Sequence, residues 1–187
     1  MSKGLENNWA LILGASSGFG EAAAIELASR GMNIFGVHLD RKGTMPKVEE
    51  IKNKIKQHGR QASFFNVNAA DADQRSEVLG EIEQILDEHK NPAGVKVLIH
   101  SLAFGTLKPY IAKDEKARVS AKNMDMTLDV MAHSLVYWAQ ELVARQLMTE
   151  GGRIFAMTSA GGHRVWPTYG PVSASKAALE SHIRQLA

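Results

Sequence analysis

A tyrosine and a lysine stand seven residues apart in Thr168-Tyr169-Gly170-Pro171-Val172-Ser173-Ala174-Ser175-Lys176, and Ala177-Ala178-Leu179-Glu180 extends the segment as a helix. At about 3.6 residues per turn this spacing is close to two turns, so both side chains are expected to leave one helix face. A phenol and an ammonium would then share a site. Tyrosine ionises near pH ~10 in water, and a neighbouring cation favours the phenolate, so the pair can act as a general acid or base near neutrality. Such pairs are frequent in helices, and this one takes its meaning from the rest of the chain. Gly14-Ala15-Ser16-Ser17-Gly18-Phe19-Gly20 follows the apolar run Trp9-Ala10-Leu11-Ile12-Leu13. Glycines at a strand-to-helix turn let the backbone bend sharply and approach a pyrophosphate, while the amides and dipole of the helix N-terminus favour the anion. The spacing is G-x-x-x-G-x-G, not the better-known G-x-G-x-x-G. Position at the first strand-to-helix junction is what marks it as a cofactor loop.

The elements needed to hold these groups can be read along the chain. The first strand, Trp9 to Leu13, is uninterrupted apolar sequence, as in a parallel strand buried on both faces. A helix from Glu21 to Arg30 follows, stopped by Gly31. Asn33 to His38 reads as a second strand, and Pro46 to His58 as a helix with Val48, Ile51 and Ile55 inward and a solvated lysine face, stopped by Gly59. Ala62 to Val67 is the third strand, and Asp71 or Asp73 caps a helix with the stripe Val78, Ile82, Ile85 and Leu86. Val95 to His100 is the fourth strand. After a loop at Ser101-Leu102-Ala103-Phe104-Gly105, one long helix is expected from near Lys122 to Thr149, broken by Gly151-Gly152. Arg153 to Thr158 would be the fifth strand, and the Tyr169/Lys176 helix comes last. This alternation implies a doubly wound parallel sheet of Rossmann type, a three-layer α/β/α arrangement with ligands at the carboxyl ends of the strands.

The end of the second strand should meet the adenosine ribose, where an acid suits a 2′-hydroxyl and a base suits a 2′-phosphate. His38-Leu39-Asp40-Arg41-Lys42 offers both. Counting from Gly14 places His38 nearest the acid position and leaves Arg41 and Lys42 in the following loop, which favours NADP(H) slightly over NAD(H).

Composition narrows the chemistry further. With 44% hydrophobic and 22% charged residues, 187 residues can build one globular domain with a substantial core. The net charge of +2 argues against a broad nucleic-acid-binding surface. The absence of cysteine excludes disulfides, thiolate metal ligands and a cysteine nucleophile. The seven histidines are scattered, with no His-Glu-x-x-His or comparable pair, so no metal site is expected. No apolar run approaches the roughly 18 residues of a membrane helix, nor is there a secretory signal, and a cytoplasmic location is expected.

These residues in this order resemble the short-chain dehydrogenase/reductase family over essentially the whole chain. Typical members carry Tyr-x-x-x-Lys, whereas here the lysine lies three residues further on. Tyr-x6-Lys, with His100-Ser101-Leu102-Ala103-Phe104 and Arg164-Val165-Trp166-Pro167-Thr168-Tyr169, is similar to the divergent branch that contains bacterial enoyl-acyl-carrier-protein reductases. The resemblance implies that Gly14, Ser16, Ser17, Phe19 and Gly20 hold the pyrophosphate, that Asn66 and Val67 flank adenine, and that Ser101, Leu102 and Ala103 line the cofactor. It implies that Tyr169 bonds the substrate oxygen and that Lys176 holds the nicotinamide ribose. Those reductases often have a second tyrosine ten residues before the first. Here Ser159 stands there, and either Ser159 or Thr158 could supply a second hydroxyl. Met131 falls about where ordinary members have an asparagine. Family members usually continue for several dozen residues, so residues 1–187 are expected to be a single dinucleotide-binding domain lacking the C-terminal substrate-covering part.

The leading expectation is therefore an NAD(P)H-dependent reductase of the C=C bond of an enoyl thioester, with the acyl group on a carrier protein and the chain in a homo-oligomer, dimer or tetramer. The alternatives are a carbonyl reductase or alcohol dehydrogenase with the same cofactor and tyrosine, and a non-catalytic dinucleotide-binding protein. His163, near Tyr169, reads as a loop residue and not a proton shuttle.

Overall fold

All five residues of β1 (Trp9–Leu13) are buried, as an unbroken apolar strand covered on both faces requires. In the computed structural model, which describes residues 5–88 and 94–187, β1 is the middle strand of a five-stranded parallel sheet. It pairs in parallel with β2 (Asn33–His38) on one side and β4 (Val95–His100) on the other. β2 pairs in parallel with β3 (Ala62–Asn66), and β5 (Met148–Ala156) lies beside β4. The order β3-β2-β1-β4-β5 reverses between β1 and β4, the switch point at which open α/β sheets bind ligands. Sequence alternation predicted this doubly wound sheet flanked by helices.

The described residues fall into two compact units, one running through Ser101 and including Ala139–Phe155, the other comprising Leu102–Trp138 and Ala156–Ala187. In the first, α1 (Gly18–Ser29) packs on β1, β2 and α2 (Met45–Gln57). Val48, Ile51 and Ile55 form the buried face of α2, and Asp71 caps α3 (Ala72–Glu88) by accepting from the Gln74 amide at 3.0 Å. Across β1 and β2, Trp9 stacks on Phe35 with centroids 3.9 Å apart, one diagonal cross-strand pair in a core of Leu, Ile and Val. In the second unit, α4 (Ala121–Leu128), a π-helical turn at Asp129–His133 and α6 (Gly170–Leu186) pack together.

The long helix expected from near Lys122 to Thr149 is divided. It comprises α4, the π turn and α5 (Ser134–Ala144), and it ends five residues early. Gln146 adopts φ 57, so that its amide reaches Val143 O at 3.0 Å and the Leu147 amide reaches Leu142 O at 2.9 Å. That is a Schellman closure with glutamine in the left-handed position that glycine usually takes. Gly151 and Gly152 therefore break no helix. They lie inside β5, which starts at Met148 and ends at Ala156, displaced from the expected 153–158. No helix among the described residues is long and apolar enough to cross a membrane.

Candidate active site

The glycine loop has a tight backbone geometry at the N-terminus of α1. Gly14 (φ 88) and Gly18 (φ 55) take left-handed backbone conformations, and the space beyond the Gly18 α-carbon is open. At Gly20 a β-carbon would sit 1.9 Å from Gly14 O, so only glycine lets the first turn of α1 approach the strand end. The amides of Gly14 and Ala15 both donate to Val37 O, at 2.8 and 3.0 Å, tying the loop to β2. Ser17, the N-cap residue, makes no side-chain bond to the helix, which leaves the first-turn amides of α1 for a ligand. Phe19 projects outward, 75% exposed. These features fit a pyrophosphate.

Past β2 the structure differs from the simple count. His38 is buried, and its Nδ1 meets Asp40 Oδ2 at 3.0 Å. Burial holds the imidazole pKa below its ordinary value, against the opposing pull of Asp40. The residue that reaches the glycine loop is Asp40. Burial alone would raise its carboxyl, but hydrogen bonds from Ser16, Thr44 and His38 hold it below the usual range. Asn66, expected beside adenine, pins Asp40 through two reciprocal bonds: Asp40 N to Asn66 Oδ1 at 2.9 Å and Asn66 Nδ2 to Asp40 O at 3.0 Å. The Val67 amide donates to His38 O at 2.8 Å. Arg41 and Lys42 are exposed, and their side chains make no hydrogen bond or ion pair among the described residues. Sequence reasoning saw Asp40 but gave the position to His38. Its side chain points into the sheet layer because β2 runs through it to the last residue. Ser101 continues the ladder, its amide donating to Leu13 O at 2.8 Å, while Leu102 and Ala103 begin the second unit.

In the second unit, Lys176 and Tyr169 engage different partners. Lys176 Nζ donates to Met157 O at 2.7 Å, the residue is only 5% exposed, and burial lowers the amine's pKa. One of its three protons is used, and two remain for a ligand. Tyr169 lies outside the helix, as the N-cap residue of α6 (φ −84, ψ −2), which corrects the expectation that it shares a helical face with Lys176. Pro171 in the first turn marks where the helix starts. The residue before the tyrosine, Thr168, takes φ 61, a costly conformation for a β-branched side chain that turns the chain into α6.

The Tyr169 hydroxyl donates to Ser159 Oγ at 3.1 Å, and the Gly161 amide donates to the same oxygen at 3.2 Å. With both acceptor positions filled, the free hydrogen-bonding group of Ser159 is its own proton. Thr158, the other candidate, instead gives its proton to Glu180 Oε1 at 2.5 Å. The Tyr169 ring lies over Gly161, where a β-carbon would come within 2.3 Å of it, and Trp166 meets the ring edge-on at 5.2 Å. A cavity of about 440 Å³ opens beside Tyr169, with Tyr110, Val165 and Trp166 as apolar wall and Lys108 and Arg164 also lining it. Met131 is buried in the π turn under Gly105, so the position offers packing and no hydrogen-bond donor to a proton relay. His163 is exposed and pairs through Nε2 with Glu180 Oε2 at 2.9 Å, a loop residue as expected.

A family model described as enoyl-(acyl carrier protein) reductase matches residues 14–187. The chain belongs to the short-chain dehydrogenase/reductase family. It is 28% identical over 190 residues to the trihydroxynaphthalene reductase of Colletotrichum orbiculare, covering 100% of this chain and 60% of that protein. It is 27% identical over 187 residues to the NADPH enoyl-[acyl-carrier-protein] reductase FabI of Staphylococcus aureus, covering 98% of this chain and 67% of that one. Among solved structures, the promiscuous reductase LugOII, described as catalysing a keto-reduction during lugdunomycin biosynthesis, superposes with a TM-score of 0.79 at 25% identity over 97% of this chain and 70% of that one. The chain thus spans about three fifths of the length of the first of these relatives.

Short-chain dehydrogenase/reductases are oxidoreductases that bind a nicotinamide dinucleotide, and the glycine loop described above fits that group. In this sequence the lysine follows the tyrosine at seven residues, and the long helical stretch carries Met131 in its π turn.

Proposed function

We propose that this short-chain dehydrogenase/reductase is an NAD(P)H-dependent reductase of the C=C bond of an enoyl thioester whose acyl group is carried by a carrier protein. The observation that carries the reading is the Ser159–Tyr169 hydroxyl pair at 3.1 Å, held beside a cavity with aromatic walls. The match to the enoyl reductase family model supports the choice of substrate. When bound, the nicotinamide supplies a hydride to the β-carbon; overall, enoyl thioester, NAD(P)H and a proton become saturated thioester and NAD(P)⁺. Negative charge then builds on the thioester oxygen. Ser159 donates its free proton to that oxygen and Tyr169 turns its own toward it, two donors placed before the charge develops. Lys176, fixed by Met157 O, would use its remaining protons to hold the ribose hydroxyls.

For the cofactor, NADP(H) is the preferred form in this reading. The Asp40 carboxylate is turned to His38 at 3.0 Å, whereas Arg41 and Lys42 are exposed and free to meet a 2′-phosphate. Arg41→Ala should raise KM for NADPH about tenfold or more and leave NADH unchanged. A drop in NADH affinity alone in Asp40→Ala would instead make the carboxylate the reader of a 2′-hydroxyl.

A second reading, a carbonyl reductase, draws on the serine paired with tyrosine, the pairing of ordinary family members. Following nicotinamide oxidation with a crotonyl thioester and with small ketones separates the two: turnover of ketones alone removes the enoyl assignment.

A further inference from the structure

We infer that Glu180 is a positioning residue that clamps the turn carrying Ser159 from both ends and thereby fixes the direction in which the serine hydroxyl donates. The inference rests on the reading of Ser159 as a donor to the substrate oxygen.

Ser159 sits at the head of a short 3-10 turn, Ala160–Gly162, closed by the Gly162 amide on Ser159 O at 2.9 Å and the His163 amide on Ala160 O at 3.1 Å. Such a turn has little stiffness of its own. Its supports come from consecutive turns of α6. Lys176 holds Met157 through its carbonyl at 2.7 Å, and four residues later on the same helical face the Glu180 carboxylate takes two donors. Thr158 Oγ1 donates to Oε1 at 2.5 Å, immediately before Ser159, and His163 Nε2 donates to Oε2 at 2.9 Å, immediately after the turn. One carboxylate thus ties both ends of the segment, with Ser159 between them. The turn lies close against it, since a β-carbon on Gly162 would be 3.7 Å from Glu180 Oε1.

A carboxylate suits this task because it accepts at both oxygens. The Thr158 hydroxyl, chiefly, holds the Glu180 carboxyl below the ordinary range; burial opposes this, and His163 and Arg184 assist it. The clamp is therefore charged at neutral pH. Among the described residues, the charged or titratable groups that act on it are His163 from the turn and Arg184 from α6 itself.

The test compares Glu180→Ala, Glu180→Gln and Thr158→Val by steady-state kinetics and by hydrogen exchange of the amides of residues 161–163. A glutamine keeps the size of the side chain and an oxygen that accepts from Thr158, so it should stay closer to wild type than the alanine. Glu180→Ala should exchange faster in the turn and lose about 10- to 100-fold in kcat, with KM for the dinucleotide unchanged. Thr158→Val, which leaves α6 intact, should show a smaller change of the same kind. Unchanged exchange, or faster exchange with wild-type kcat, would overturn the inference. Exchange decides whether the clamp exists even if the wild type reduces no thioester, an outcome that would fall on the proposed function and not on the clamp.

Discussion

Tyr169 Oη and Ser159 Oγ lie 3.1 Å apart, with the tyrosine donating and the Gly161 amide filling the other acceptor position of the serine. This geometry leaves the Ser159 proton without an acceptor among the described residues. In the proposed mechanism that proton is one of the two given to the oxygen that gains charge.

Tyr169→Phe and Ser159→Ala should each lower kcat by about 10²- to 10⁴-fold, the usual worth of a placed proton donor. Dinucleotide affinity should stay unchanged, as read by quenching of protein fluorescence. The double variant should be little worse than the more damaging single variant if, as proposed, the two act on one oxygen.

Lys176 carries a pH signature. Its folded-state pKa lies below the ordinary 10.5 because the amine is buried. Between the depressed folded value and 10.5 the unfolded chain binds more protons, so stability rises with pH across that window. The stability of wild type relative to Lys176→Met, from urea unfolding, should therefore increase as pH is raised towards ~10. A flat difference would mean that the amine is solvated.

His38 gives the corresponding effect in acid. Burial lowers its folded value below 6.5, so the unfolded chain takes up the extra proton first and stability falls as pH drops below 6.5. His38→Asn should flatten that loss between pH ~7 and ~5, measured by the urea midpoint.

Gly20→Ala should be severe. Its new β-carbon would lie 1.9 Å from Gly14 O, a backbone atom that cannot swing aside, so α1 must move. A destabilisation of about 3 kcal/mol and loss of dinucleotide binding are expected, by thermal unfolding and titration.

Much of the fold was legible because its signals are local. The apolar runs of β1, β2 and β4 and the stops at Gly31 and Gly59 appear where the sequence places them. The end of α5 was not legible, since Gln146 takes a left-handed conformation that nothing in its type announces. Pro171 did announce the start of α6, and heeding it would have put Tyr169 ahead of the helix. Of the candidate site, the tight turn at Gly14, Gly18 and Gly20 was readable from spacing and position. The engagement of Thr158 by Glu180, a partner twenty-two residues away, was not. The tie of Asp40 to Ser16 and Asn66 is likewise a meeting of distant segments.

The most direct measurement is nicotinamide oxidation by the purified protein with a crotonyl thioester, alongside Tyr169→Phe under the same conditions. Saturated thioester formed in step with oxidised nicotinamide by the wild type, and almost none by the variant, is the predicted result. Dinucleotide binding with no turnover of thioester or ketone, or equal turnover by both proteins, would contradict it.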